Sequence, residues 1–130
     1  MTDNTKALVK YRFEQADESL ESAKVLFEKN LLRPSVNRSY YAMFYAVQAL
    51  LATQKLETSK HSGTITFFDR EFVKSGVINK DFSRWLHKAF DLRQASDYQA
   101  DFYVTKEQAE VTLKNAFAFV QEVKAKIIIY

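Results

Sequence analysis

The sequence predicts an all-α protein, an up-and-down bundle of about five helices within a single domain over residues 1–130. Three observations carry this. The chain holds only two Gly and one Pro, too little punctuation for the turns of a protein built from short strands. Ala, Leu, Lys, Glu and Gln, which lose little on entering a helix, run through it. Apolar residues recur at three- and four-residue spacing along most of the length. A chain of 130 residues buries one substantial core, so one domain is expected.

The first helix is expected from a cap at Asp3 or Thr5 to about Asn30, with Phe13, Ala16, Leu20, Ala23 and Phe27 on its apolar side. Leu31 to Arg33 form a connector, and Pro34 suits the first turn of a second helix, where its missing N–H has no intrahelical partner anyway. That helix runs to about Lys55. Thr58, Ser59 and Ser62 are candidate caps for a short third helix, which carries Ile65, Phe68 and Phe72 on one face and closes at Ser75-Gly76. Asp81 is a cap candidate for the fourth helix, Phe82 to Tyr98. Gln99 to Val104 read as an irregular link, and Thr105 with Gln108 has the form of a capping box. The last helix turns Ala109, Leu113, Ala116, Val120 and Val123 inward, and its apolar tail, Ile127 to Tyr130, is expected to dock on the bundle.

The second helix is the informative one. At about 100° per residue, Val36, Tyr40, Met43, Phe44, Val47, Leu50 and Leu51 form a core stripe. The opposite side carries Arg38, Tyr41, Ala42, Tyr45, Ala49 and Ala52 in place of the usual Lys and Glu. A helix with so little polar surface is central, and its second face calls for cover by another helix, a partner chain or a ligand.

Composition excludes several chemistries. With no Cys there is no disulfide framework, thiolate nucleophile or cysteine zinc site, which fits a reducing cytoplasm. The N-terminal residues lack a signal peptide's apolar run, and no stretch reaches the length of a membrane span, so a soluble, cytoplasmic protein without membrane partners is expected. A net charge of +3 with interspersed signs is a weak argument for nucleic acid. No His spacing suits a metal and no Gly-rich loop cradles phosphate, so neither metal nor cofactor is expected. Asp69, Arg70 and Glu71 read as a solvated helix face.

Two arginines stand out. Phe82, Leu86, Ala89 and Ser96 lie within about 40° of one direction on the fourth helix, and Arg93 falls inside that apolar stripe. A guanidinium there needs a partner, and Asp97 is one turn away. Either the two form a structural ion pair, or Arg93 serves a site. Arg38 shares the Tyr41 and Tyr45 face; it stacks on a tyrosine, pairs with an acid such as Asp97, or joins Arg93 in a basic, tyrosine-lined pocket for phosphate or a nucleobase. His61 and His87 are the available groups for proton transfer near neutral pH, and both read as exposed or capping residues.

Read in order, Arg38-Ser-Tyr-Tyr-Ala-Met-Phe-Tyr, Lys60-His61-Ser-Gly, Phe72-Val-Lys-Ser-Gly76-Val-Ile and Arg93-Gln-Ala-Ser-Asp97-Tyr98 resemble the HEPN-domain family, closest to its small stand-alone branch often paired with a minimal nucleotidyltransferase. The resemblance covers nearly the whole chain. It implies a helical bundle, usually a homodimer with its polar site near the interface, and in many members a metal-independent ribonuclease or a toxin neutralised by the nucleotidyltransferase. The family motif places a His four to six residues beyond an Arg. Arg93 matches the Arg, but Tyr98, Gln99 and Ala100 occupy the positions where that His would stand. A phenol titrating near 10 is a poor acceptor for the proton of a 2′-OH at neutral pH, so the departure weighs against family-type cleavage. By resemblance Tyr98 is also a candidate for modification by the partner. The candidate catalytic set is thus Arg93, Asp97 and Tyr98, and the candidate ligand-binding set Arg38, Tyr41, Tyr45 and His61. Three functional readings follow, in order: a nucleotide- or RNA-binding or nucleotidyltransferase-partner subunit of a toxin–antitoxin-like system, an endoribonuclease with an altered Arg/Tyr site, and a purely structural bundle.

Overall fold

A computed structural model of the chain describes residues 1–56, 58 and 60–127. Its elements are α1 (Asp3–Glu28), α2 (Leu32–Thr53), α3 (His61–Phe68) continued by a π-helical turn (Asp69–Val73), α4 (Lys80–Tyr98) and α5 (Lys106–Lys126). The all-α bundle predicted from punctuation and periodicity is the observed architecture. Among the described residues there is no strand, and no helix is long and apolar enough to cross a membrane.

The central helix is α2, which packs against α1, α3, α4 and α5. Tyr40, Met43, Val47, Leu50 and Leu51 are buried in a core shared with Phe68, Leu86, Phe119 and Val123. The second face is covered from within the chain. Ser35, Ala42, Ala46 and Ala49 lie within about 40° of one direction, and all are buried. Ser35 Oγ donates to the Ala23 carbonyl of α1 at 2.8 Å, and α1 brings Ala16, Ser19 and Ala23 to this contact. Small side chains on both helices allow a close approach. Ala42 and Ala49 are therefore internal, and any contact with a second chain rests on other residues.

Caps differ from expectation by one to three positions. Thr2, rather than Asp3 or Thr5, caps α1 by accepting the Thr5 N–H at 3.1 Å. Asn79 caps α4 by accepting the Asp81 N–H at 2.8 Å, and Asp81 sits inside the first turn, where it pairs with Arg84. Lys60 is the α3 cap residue and offers no side-chain cap; Thr58 Oγ1 accepts the Lys60 N–H at 3.3 Å, Ser62 lies within the helix, and Ser59 falls outside the described residues. The capping box is as expected: Thr105 accepts from the Gln108 backbone and the Gln108 side chain from the Thr105 backbone. Gly76 adopts φ 86°, the left-handed conformation that favours glycine. Ile127 packs on the core; the rest of the tail, 128–130, lies outside the described residues.

The π-helical turn has no counterpart in the sequence reading. The Lys74 N–H reaches the Asp69 carbonyl at 2.8 Å, skipping one residue relative to an α-helix. Asp69 meets α4, where Ser83 Oγ donates to one carboxylate oxygen and His87 Nε2 meets the other, each at 2.6 Å. The Asp69 side chain is thus bonded to two partners and is no part of a freely solvated face. Arg70 and Glu71 do face solvent, paired with each other at 3.0 Å.

Candidate functional site

From Ser35 to Ala52, α2 is buried except at Asn37, Arg38, Tyr41, Tyr45 and Gln48, which are half-exposed. These five fall within an arc of about 100° on the helix. The one stripe that solvent reaches is therefore made of an arginine, two tyrosines and two amides.

Arg93 on α4 comes up against this stripe. Its Nη2 donates to the Tyr41 hydroxyl at 3.2 Å, and its guanidinium carbon lies 5.6 Å from the Tyr40 ring centre and 5.3 Å from that of Tyr41. Asp97 Oδ2 stands 3.0 Å from Arg93 Nε, the i, i+4 pair expected from the sequence. Nε is nonetheless buried without an aligned acceptor, so that contact is an ion pair rather than a well-directed hydrogen bond. The Arg93 side chain is 15% exposed and that of Asp97 28%. Arg38 covers the Tyr41 ring at 4.7 Å and donates from Nε and Nη2 to Asn37 Oδ1 at 3.2 and 3.1 Å. Of its alternatives, tyrosine stacking is realised, and Asp97 is left to Arg93. Tyr41 thus carries both guanidiniums.

His61, the first residue of α3, is neither exposed nor a cap. Its ring stacks on Phe44 at 4.2 Å, meets the Tyr41 ring edge-on at 5.5 Å, and its Nδ1 lies 2.7 Å from the Tyr40 hydroxyl. Burial, and then the Arg93 charge, hold the His61 imidazole below its ordinary value, favouring the neutral ring. Burial raises Tyr40 far above the ordinary phenol range; Arg93 opposes that shift and Tyr41 adds to it. A phenol that keeps its proton is able to donate it to His61 Nδ1, and in that arrangement the imidazole hydrogen stands on Nε2.

The structure thus assembles Arg38, Tyr41, His61, Arg93 and Asp97 from α2, α3 and α4. Tyr45 extends the aromatic wall, its ring 5.9 Å from that of Tyr41. Tyr98 stands apart, 74% exposed at the end of α4. Sequence reasoning assigned Tyr40 and Phe44 to the core alone. A tyrosine rather than a phenylalanine among apolar neighbours was the signal, since a buried hydroxyl seeks a partner. His87, read as exposed or capping, is exposed, and its ring is tied to Asp69.

Cavities lined by described residues border this cluster. One of about 660 Å³ opens beside Tyr41 and Tyr45, between α1, α2 and the loop holding Leu56 and Thr58. A smaller one of about 340 Å³ is lined by Arg33, Asn37, Arg38 and Asp97.

Comparison with known proteins agrees with the assignment made from these residues. A family model described as HEPN domain matches residues 9–126. A protein named "Putative toxin MJ0605" from Methanocaldococcus jannaschii is 41% identical over 111 residues, covering 85% of this chain and 82% of its own. "Putative toxin MJ0142" from the same organism is 35% identical over 115 residues, 88% of this chain and 78% of its own. A "UPF0332 protein" from Thermotoga maritima is 36% identical over 120 residues, 92% and 91%.

Proposed function

This chain belongs to the HEPN-domain family, and we propose that it is a toxin-type HEPN subunit of a two-component system whose site holds the phosphate of an RNA or nucleotide between Arg38 and Arg93. The observation that carries this is the state of Arg93. Among the described residues it is a largely buried cation with one side-chain hydrogen bond, to Tyr41, and an ion pair to Asp97 whose Nε donor is not aligned on an acceptor. With Nε buried against Asp97, the Nη groups are what an incoming phosphate oxygen would meet, and a guanidinium recognises phosphate better than an ammonium would. Arg38 adds a second cation across the Tyr41 ring, and the His61 imidazole a polar group beside it. The names of the relatives support the toxin reading.

A thermal-shift titration with nucleotides and short RNAs tests the site. Saturation at a hundredfold excess over Kd stabilises the protein by about 2.7 kcal/mol, and Arg93→Ala abolishes the shift. An unshifted wild-type melting curve at millimolar ligand leaves Arg93 and Asp97 as a structural pair and the protein as a structural bundle.

The endoribonuclease reading has the placement of His61 in its favour. A metal-independent cleavage needs an acceptor for the 2′-OH proton, however, and His61 Nδ1 is already engaged with the Tyr40 hydroxyl at 2.7 Å. The geometry favours holding RNA over cutting it, and intact RNA after long incubation with concentrated protein is the expected result. A minimal nucleotidyltransferase is the partner this reading implies, and the exposed Tyr98 is within reach of such an enzyme. A homodimer, by the same reading, uses the Tyr41 and Tyr45 stripe; light scattering at micromolar concentration decides it.

A further inference from the structure

The smaller cavity, of about 340 Å³, lies between the end of α1, the start of α2 and the end of α4. Leu26 and Pro34 give it an apolar side, and Arg33, Asn37, Arg38 and Asp97 a polar one. Arg33 Nη2 donates to the Phe102 carbonyl at 3.2 Å, and Arg38 donates to the Asn37 amide oxygen. Among the described residues neither of these charges is paired with a carboxylate, whereas Asp97 is paired with Arg93. Arg33 is exposed and spends one donor of its guanidinium on that carbonyl, so most of its hydrogen-bonding capacity remains. Its position is about 7.5 Å of helix rise from Arg38, and the two side chains meet at one opening.

A second observation concerns the rings at the same end of the bundle. Among the described residues Tyr103, 81% exposed, and Tyr98, 74% exposed, are the most open of the large apolar side chains. Each follows directly on a residue tied to this cavity. Tyr98 comes after Asp97, which lines it, and Tyr103 after Phe102, whose carbonyl holds Arg33. Rings this open bury little area against the core. Unneutralised cations flanked by open aromatic faces are the combination that holds a single strand, with the cations on its backbone and the rings under its bases.

We propose that the ligand of the phosphate site is a single-stranded RNA held by more than one nucleotide: one phosphate at Arg38 and Arg93, a neighbouring phosphate at Arg33, and bases stacked on Tyr98 and Tyr103. This rests on the phosphate reading given above and narrows it from any nucleotide to a strand.

Fluorescence anisotropy on the full chain tests it, with a labelled uridine octamer as the probe and uridine monophosphate and triphosphate as competitors. The octamer binds about tenfold or more tightly than either nucleotide, which is the worth of one well-stacked base. Tyr103→Ala weakens the octamer about fivefold or more and leaves the salt dependence of its binding unchanged. Arg33→Gln weakens it and lowers the slope of log affinity against log salt by about 0.7, the loss of one phosphate contact to a single strand. Both variants compete with the monophosphate as the wild-type protein does, and a melting curve records that each is folded. An octamer that binds no more tightly than uridine triphosphate overturns the strand path while the phosphate site stands. So does an octamer that keeps its affinity in Tyr103→Ala and its salt slope in Arg33→Gln. A changed oligomeric state of Tyr103→Ala in light scattering, with octamer affinity intact, assigns the ring to a protein contact and overturns it too. Failure of the octamer and of both nucleotides to bind overturns the strand path and the phosphate site together.

Discussion

The His61 cluster and the His87 cluster are built from the same kinds of group, an imidazole, a hydroxyl and a carboxylate, and differ in what surrounds them. His61 is sandwiched between Phe44 and the tyrosine pair, takes the Tyr40 hydroxyl at 2.7 Å and feels the Arg93 charge. His87 and Ser83 hold the two oxygens of Asp69 on a surface where the imidazole is exposed. In the first cluster the imidazole is partly buried among aromatic rings, so burial and a fixed charge bias its protonation state. In the second, solvent screens the pair, and the contact holds the π-helical turn against α4. Residue types alone do not make a site; the aromatic enclosure does.

Arg93→Ala is the substitution that should widen this contrast most. It strips the aromatic cluster of its cation and strands Asp97, and should cost about 2 kcal/mol, less than a fully buried pair because solvent reaches the carboxylate. Chemical denaturation with an unchanged m-value checks it. Tyr40→Phe removes one buried hydroxyl and leaves His61 Nδ1 without its donor; about 1 kcal/mol is expected by the same measurement.

Acidification probes the same cluster without a mutation. His61 titrates lower in the folded chain than its ordinary value of about 6.5. Above that pH it is neutral in both states and its contribution to stability is complete. As the pH falls below it, the unfolded chain takes up a proton that the folded chain resists, and stability is lost until the folded value is passed. Wild-type melting temperature should therefore drop more steeply between about pH 7 and pH 5 than that of His61→Gln; parallel curves would count against the enclosed imidazole. The smallest effect belongs to the other cluster, where His87→Ala should cost a few tenths of a kcal/mol, read from the same denaturation curves.

Much of this was legible in the sequence. Gly76 and the Thr105–Gln108 box marked helix ends because each acts within its own turn of chain, and Pro34 lies in the first turn of α2, which begins at Leu32, so Leu32 and Arg33 belong to the helix and not to the expected connector. Arg93 and Asp97 were legible because their pairing is a one-turn relation on a single helix. Caps slipped where neighbouring residues were equally able to serve, as Thr2 and Asp3 or Asn79 and Asp81 were, since packing of the first turn makes the choice. The π-helical turn and the Tyr40 to His61 bond escaped because both are set by contacts between distant elements. Gln48 escaped for another reason: a polar residue on a helix draws notice only once its neighbours are known to be buried.

The enclosure of α2 also decides how fast the site can move. A helix buried over most of its circumference opens chiefly when the whole domain opens, so the α2 amides from Tyr40 to Leu50 should be among the last to exchange with deuterated solvent. The wall bearing Arg38, Tyr41, Tyr45 and Gln48 is then in place before any ligand arrives, and recognition needs little ordering of the backbone. A ligand should slow exchange across the whole bundle together, as the opening free energy rises, instead of protecting one loop.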